Sequence, residues 1–253
     1  MNDINSGLDE NLVFKGGTCL NKVYYDYFRL SEDLDFSMRM PDIKMNKAKR
    51  SRHMQKIKGS MEKYAFERGM SLNKDEKSGR NESRQYVFYL EYPSIVTAAT
   101  GRIKIEIGLR ANPVLTPLVK SVKHIFKDPF TGEKVMRTGT VLCLRLEEMA
   151  AEKFRAAATR EIPAPRDFYD LYYYIKNGFD FKDRKTAELI DIKLEEDGHK
   201  DRRKEYFSNM NKTEKQVKEL EGRIEAELVP VLRMKDLKAF SLKKVFDYFR
   251  GIV

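Results

Sequence analysis

Two aspartates separated by a single residue, Asp33 and Asp35 in Ser31-Glu-Asp-Leu-Asp35, are the side chains of this sequence best placed to do chemistry. Alternate residues of a strand share a face, so both carboxylates are expected on one side, with Leu34 buried on the other. Like charges held that close repel each other, and a hard divalent cation such as Mg²⁺ or Mn²⁺ relieves the repulsion. Glu106, in the run Arg102-Ile-Lys-Ile-Glu-Ile-Gly-Leu-Arg110, offers a third oxygen ligand from the charged face of a neighbouring strand. Three carboxylates on adjacent strands can hold two metals that activate an attacking hydroxyl and neutralise phosphate charge. Upstream, Lys15-Gly16-Gly17-Thr18 reads as a tight glycine turn opening a helix, whose free N–H groups and positive end suit those same phosphates. Each piece alone has a plainer explanation. Asp-x-Asp and Gly-Gly are common in turns, and a strand Glu is commonly solvated. Their joint occurrence in this order is what gives them weight.

The surrounding pattern says what must position these groups. Leu12-Val-Phe14 is a short apolar element, followed by a helix from the glycine turn to about Tyr25, with Thr18 its expected cap. Leu34 to Met38 reads as a short strand. Met54, Ile57, Met61 and Tyr64 recur at helical spacing from Asn46 to about Arg68, ending at Gly69. After a polar stretch, Asn73 to Ser83, the runs Arg84 to Tyr92 and Arg102 to Arg110 are expected as neighbouring strands, and a less regular β segment reaches about Thr140. The period then changes to helix: Leu144 to Ala158, Asp167 to Lys176, and a charged helical stretch from Phe181 to Val253 with a capping box of Thr213 and Gln216. The expected fold class is α+β, with an α+β part in residues 1–140 and a helical domain in residues 141–253.

Composition sets the limits. The chain has 253 residues, 41% of them hydrophobic and 35% charged, which describes a folded protein. No stretch reaches the roughly 18 apolar residues of a membrane span, and the polar start, Met1 to Glu10, does not resemble a secretory signal; a cytoplasmic protein without membrane partners is expected. Cys19, Cys143 and three histidines are too few for a disulfide framework or an ordinary structural zinc site. A net charge of +10 points to a polyanionic partner. Much of that charge lies in Lys44, Lys47, Lys49, Arg50, Arg52, Lys56 and Lys58, with no acid between Asp42 and Glu62, which reads as a phosphate-backbone track for RNA or as a solvated helix face. Tyr172-Tyr-Tyr174 could stack on bases, although core packing of at least two of the rings is the expectation.

The run Phe14-Lys-Gly-Gly-Thr-Cys-Leu-Asn-Lys-Val-Tyr24 with Arg29-Leu-Ser-Glu-Asp-Leu-Asp-Phe36 resembles the first motif of the AbiEii/AbiGii-type, MenT-like nucleotidyltransferase toxins of the polymerase-β-like superfamily. The similarity continues at Lys104-Ile-Glu-Ile107, at Leu146 to Arg160 around Lys153, and at Arg166-Asp-Phe-Tyr-Asp-Leu-Tyr172. It implies a minimal nucleotidyltransferase core, a mixed sheet flanked by helices, followed by a helical half that contributes Lys153 and Asp170 to the active-site cleft. It further implies a metal-dependent toxin of a toxin–antitoxin or phage-defence pair, with an NTP substrate and a cognate antitoxin. By this likeness Asp33 and Asp35 match the metal-binding pair, Gly16, Gly17 and Ser31 lie near the triphosphate, Lys153 matches a phosphate-holding lysine, and Asp170 or Asp167 matches the late acidic motif. Two departures stand out: only about a dozen residues precede the first motif, suggesting a fragment or a divergent start, and Glu stands at 106 where Asp is also common.

Read physically, Lys153 is a snorkelling lysine or a point charge on phosphate, with Arg160 its nearest competitor. Asp167, following Pro165-Arg166, could cap its helix, whereas Asp170 sits inside the helix among aromatics and is the stronger candidate. The expected activity is transfer of a nucleoside monophosphate from an NTP to an acceptor, foremost a tRNA 3′ end, with release of pyrophosphate. The rivals are nucleotidylation of a protein, a non-catalytic RNA- or antitoxin-binding module, and a nuclease using the same carboxylates.

Overall fold

The computed structural model describes residues 3–42, 44–94, 99–135, 138–200 and 202–252. The β segment expected up to Thr140 and the helical stretch up to Val253 therefore each include positions outside the described residues, namely Met136, Arg137, Asp201 and Val253. The chain divides into two compact units: residues 1–27 with 31–145, and residues 28–30 with 146–253.

The first unit is built on a mixed sheet. In chain order it contains α1 (Ile4–Gly7), β1 (Leu12–Lys15), α2 (Gly16–Cys19), β2 (Leu34–Met38), α3 (Lys47–Phe66), β3 (Ser71–Leu72), β4 (Gly79–Arg80), β5 (Gln85–Pro93), β6 (Thr100–Gly108), β7 (Leu118–Ser121) and β8 (Thr140–Cys143). The strands run in the order β3-β5-β6-β2-β1-β8-β7, with β4 pairing β5. Two pairings are parallel, β2 with β6 and β1 with β8. The central strands are buried on both faces: Leu12, Val13 and Phe14 of β1 are all inaccessible, which is why β1 reads as an apolar run without alternation. On β6, Ile105 and Ile107 are buried, as their alternation with Lys104 and Glu106 predicts. Helix α3 buries Met54, Ile57, Met61 and Tyr64, is capped by the Asn46 side chain, and is followed by Gly69 at a φ of 68° that suits glycine.

Local structure departs from expectation at two points. The helix after the glycine turn widens into a π turn over Leu20–Tyr24, with Tyr25 N–H reaching back to the Leu20 carbonyl at 2.8 Å. It stops at Asp26 and Tyr27, both at positive φ. Thr18 is not the cap. It is the third residue of α2, buried, and its hydroxyl is used elsewhere. Leu34, expected to be buried, is only half-buried, because β2 begins there and the first side chain sealed in the core is Phe36.

The second unit is helical: α4 (Leu146–Thr159), α5 (Pro165–Lys176), α6 (Arg184–Glu196), α7 (Arg203–Phe207), α8 (Glu214–Leu228), α9 (Met234–Ala239) and α10 (Leu242–Arg250). Helix α4 packs on α5 and α6, and α5 also packs on α8 and α10. An aromatic core of Phe154, Phe168, Tyr174, Phe181, Phe207, Phe246 and Phe249 joins them, largely edge to face. Thr213 and Gln216 form the expected reciprocal capping box of α8. All three tyrosines of the 172–174 run are used in packing: Tyr174 is fully buried, Tyr173 lies 4.4 Å from Phe28, and Tyr172 packs on Phe240 and donates to the Ala239 carbonyl. None of the described helices is long and apolar enough to cross a membrane.

Candidate active site

The carboxylates of the first unit come together through strand register. Asp35 of β2 lies opposite Glu106 of the parallel strand β6, and opposite Lys15 of the antiparallel strand β1. A one-residue slip of either pairing would turn the carboxylates to the other face, so the buried Phe36, Ile105 and Ile107 fix the chemistry as well as the fold. Asp33 stands one residue ahead of the strand and is exposed.

Gly16 begins α2 with φ 75°, a left-handed conformation that disfavours any side chain. A Cβ at this position would also overlap the Asp35 carboxylate. The glycine turn and the carboxylate strand are thus pressed together, and Thr18 fastens them: its Oγ1 donates to the Asp33 carbonyl at 2.5 Å and lies 2.8 Å from Ser31 Oγ. Gly16, Gly17, Thr18, Ser31, Asp33 and Asp35 are therefore one local assembly.

Two residues that motif reading passes over complete it. Lys104 Nζ bridges Glu106 Oε2 at 3.2 Å and Asp33 Oδ2 at 3.6 Å. Partial burial works against its ammonium, but Glu106, Asp33 and Asp35 outweigh that and raise its pKa above the ordinary lysine value. Gln85 Nε2 donates to the other oxygen, Glu106 Oε1, at 2.6 Å, and Gln85 is itself held by Asn81 Nδ2 at 2.6 Å. Glu106 is therefore a fixed group and not a solvated strand residue. Strand alternation puts 104 beside 106 on one face, which was the available signal for Lys104; Gln85 is visible only once β5 is paired with β6.

The donor set suits a hard cation in kind: carboxylate oxygens that already converge on a positive charge. Among the described residues, no three Asp, Glu, His or Cys side chains gather closely enough to hold a metal ion. The cation that the Glu106 and Asp33 oxygens share is the Lys104 ammonium.

In the second unit, Lys153 is not a snorkelling lysine. Its Nζ lies 3.0 Å from Asp167 Oδ1 and 2.8 Å from Asp170 Oδ2. Asp167 is not the helix cap either: Ala164 occupies that position, and the Asp167 carboxylate pairs with Lys153 and with Arg160 Nη1 at 2.8 Å. Asp170 is wholly buried and takes Arg29 as well as Lys153. Burial would raise its pKa, but Arg29 and Lys153 outweigh burial and hold it below the usual carboxylate value. In sequence Arg29 is only one letter of a motif; its partner lies 141 positions away, a separation at which no local pattern is legible.

The basic run of α3 divides into two kinds of residue. Lys49, Arg52 and Lys56 share the exposed side opposite Met54 and Ile57, and Lys44 and Lys47 are also exposed. Arg50, expected with them, is buried and donates to the Met45 carbonyl and, at 2.9 Å, to the Glu82 carbonyl; it is a structural residue. Lys58 is half-buried with its ammonium over the Tyr86 ring, 5.2 Å from the centroid.

The mixed sheet with its helical second unit is the fold of solved nucleotidyltransferases. The chain belongs to the AbiEii nucleotidyl transferase toxin family of type IV toxin–antitoxin systems, whose model matches residues 1–245. Its fold is similar to that of MenT4, a nucleotidyltransferase toxin from Mycobacterium tuberculosis H37Rv, with 18% identity over 96% of this chain and 76% of that one and a TM-score of 0.53. It is likewise similar to JHP933 from Helicobacter pylori, with 18% identity over 99% and 84% and a TM-score of 0.51. Among curated protein sequences none matches.

Proposed function

We propose that this nucleotidyltransferase toxin is metal-dependent and transfers a nucleoside monophosphate from an NTP to the 3′ end of a tRNA, releasing pyrophosphate. The observation that carries the reading is the register of Asp35 opposite Glu106, with Asp33 bridged to Glu106 through one ammonium and Gly16 closed against Asp35. In this reading Asp33, Asp35 and Glu106 hold Mg²⁺ or Mn²⁺, and Gln85 keeps Glu106 turned inward. The metal, when bound, would lower the pKa of the acceptor hydroxyl and offset phosphate charge. In this reading Lys15, Gly16, Gly17, Thr18 and Ser31 of the first unit are offered to the triphosphate, and Lys153 of the second unit, paired with Asp170, is a phosphate-binding positive charge. The solvent-facing Lys49, Arg52 and Lys56, with Lys44 and Lys47, offer the RNA backbone a basic track, consistent with the net charge of +10.

The test is incubation with each labelled NTP, Mg²⁺ and total tRNA. Label should enter RNA with the wild type and be absent with Asp33→Ala/Asp35→Ala. No transfer by the wild type, or equal transfer by the double variant, overturns the proposal. Label that survives RNase but is released by protease would move the acceptor from RNA to protein.

A further inference from the structure

The surroundings of Lys153 pose a problem of sign. A lysine that meets two carboxylates within 3.0 Å is more than neutralised, and such a trio, net negative, repels phosphate. The second unit answers with two arginines. Arg29 grips Asp170 with both arms of its fork, Nε to Oδ1 at 2.6 Å and Nη2 to Oδ2 at 2.9 Å, the planar two-bond geometry that guanidinium and carboxylate form best. Arg160 takes the second oxygen of Asp167 at 2.8 Å. Three cations now face two carboxylates, and one positive charge is left over.

Exposure decides where that charge is felt. The side chains of Arg29, Asp167 and Asp170 are 4%, 3% and 0% exposed, whereas Lys153 retains 16% and Arg160 52%. Both acids are sealed, and the members that solvent reaches are cationic. Three contacts keep Arg29 in place. Phe28 packs on Tyr173 and Tyr169, Leu30 N–H bonds the Val231 carbonyl at 2.8 Å, and Arg29 Nη1 bonds the Leu30 carbonyl at 2.9 Å.

We propose that Arg29 is a positioning residue for the nucleotide: by offsetting the charge of Asp170, which Lys153 also contacts, it turns this centre from neutral to cationic and leaves the Lys153 ammonium a net attraction for phosphate. The inference rests on the reading that Lys153 binds phosphate. It assigns the strength of that binding to a residue that touches no substrate. It also separates two roles that a buried ion pair usually confounds, because a merely structural Arg29 would matter through its hydrogen bonds, whereas this role depends on the count of charges.

The full-length chain is titrated with inorganic tripolyphosphate by calorimetry at low ionic strength, a probe that needs neither base recognition nor turnover. Arg29→Met should weaken binding at least tenfold. Arg29→Met/Asp170→Asn removes one charge of each sign and should recover affinity to within about threefold of wild type, although it has lost still more hydrogen bonds. Asp170→Asn alone, which keeps Arg29, should bind at least as tightly as wild type, and this arm stands even where Arg29→Met fails to fold. Wild-type affinity in a folded Arg29→Met, no recovery in the folded double variant, or weaker binding by Asp170→Asn overturns the proposal. Lys153→Met identifies the level of failure: undiminished binding there defeats the phosphate reading itself, whereas lost binding there with Arg29→Met unaffected defeats only the role of Arg29.

Discussion

At position 16 two independent requirements fall on one residue. The backbone φ of 75° and the closeness of the Asp35 carboxylate each ask for a residue without a Cβ. Gly16→Ala is accordingly expected to cost about 1–3 kcal/mol of stability, measured by urea unfolding, and to abolish nucleotide transfer even in the fraction that remains folded, because the carboxylate must move. Asp33, Asp35, Glu106 and the glycine turn were legible as residues because their chemistry is carried by type and short spacing. Lys104 and Arg29 were not, for a physical reason: what matters about each is the charge it faces, and that charge is supplied by a different strand or helix. Sequence alone could not distinguish Asp167 as cap from Asp167 as ion-pair partner, since both uses favour an acid in the first turn of α5.

At the scale of elements, periodicity was a reliable guide wherever one face is buried. The apolar stripe of α3 and the alternation of β6 were readable because burial imposes the pattern directly, and the capping box of α8 because its two residues bond each other across three positions. The π turn after α2 was not readable, because widening a helix by one residue leaves no composition signature. The run from Lys44 into helix α3 also shows how a charge run misleads: seven basic residues look equivalent in sequence, yet Arg50 faces inward. The two kinds should separate in experiment. Arg50→Ala is expected to lose about 1.5–3 kcal/mol with its buried hydrogen bonds, seen as a lower unfolding midpoint. Lys49→Glu/Arg52→Glu/Lys56→Glu should leave that midpoint nearly unchanged, weaken tRNA binding in a filter or fluorescence assay, and reduce the slope of log K against log salt by about 2–3.

At the scale of the molecule, the chain is not cut into its two units at a single point. Residues 28–30 leave the first unit, join the second, and return before the carboxylate strand begins. A fragment of residues 146–253 alone would lack Phe28 against Tyr173 and Arg29 against Asp170, leaving a buried carboxylate short of its strongest partner. It is expected to melt at a lower temperature, and less cooperatively, than the same helices within the full chain, as followed by far-ultraviolet circular dichroism. Division into an α+β part and a helical part was visible from the change of period near Val141, but the excursion of three residues was not, because so short a segment carries no pattern of its own.

Lys104 has a meaning for how the protein comes into being. A cluster of acids that depended on an outside cation would leave a newly made chain with unbalanced repulsion inside its sheet until that cation arrived. Here a cation that offsets part of that repulsion is encoded two residues before Glu106 on the same strand, so it reaches the site at the moment the strand does. On the proposed metal reading, this sheet does not need the ion in order to have a cation between Asp33 and Glu106.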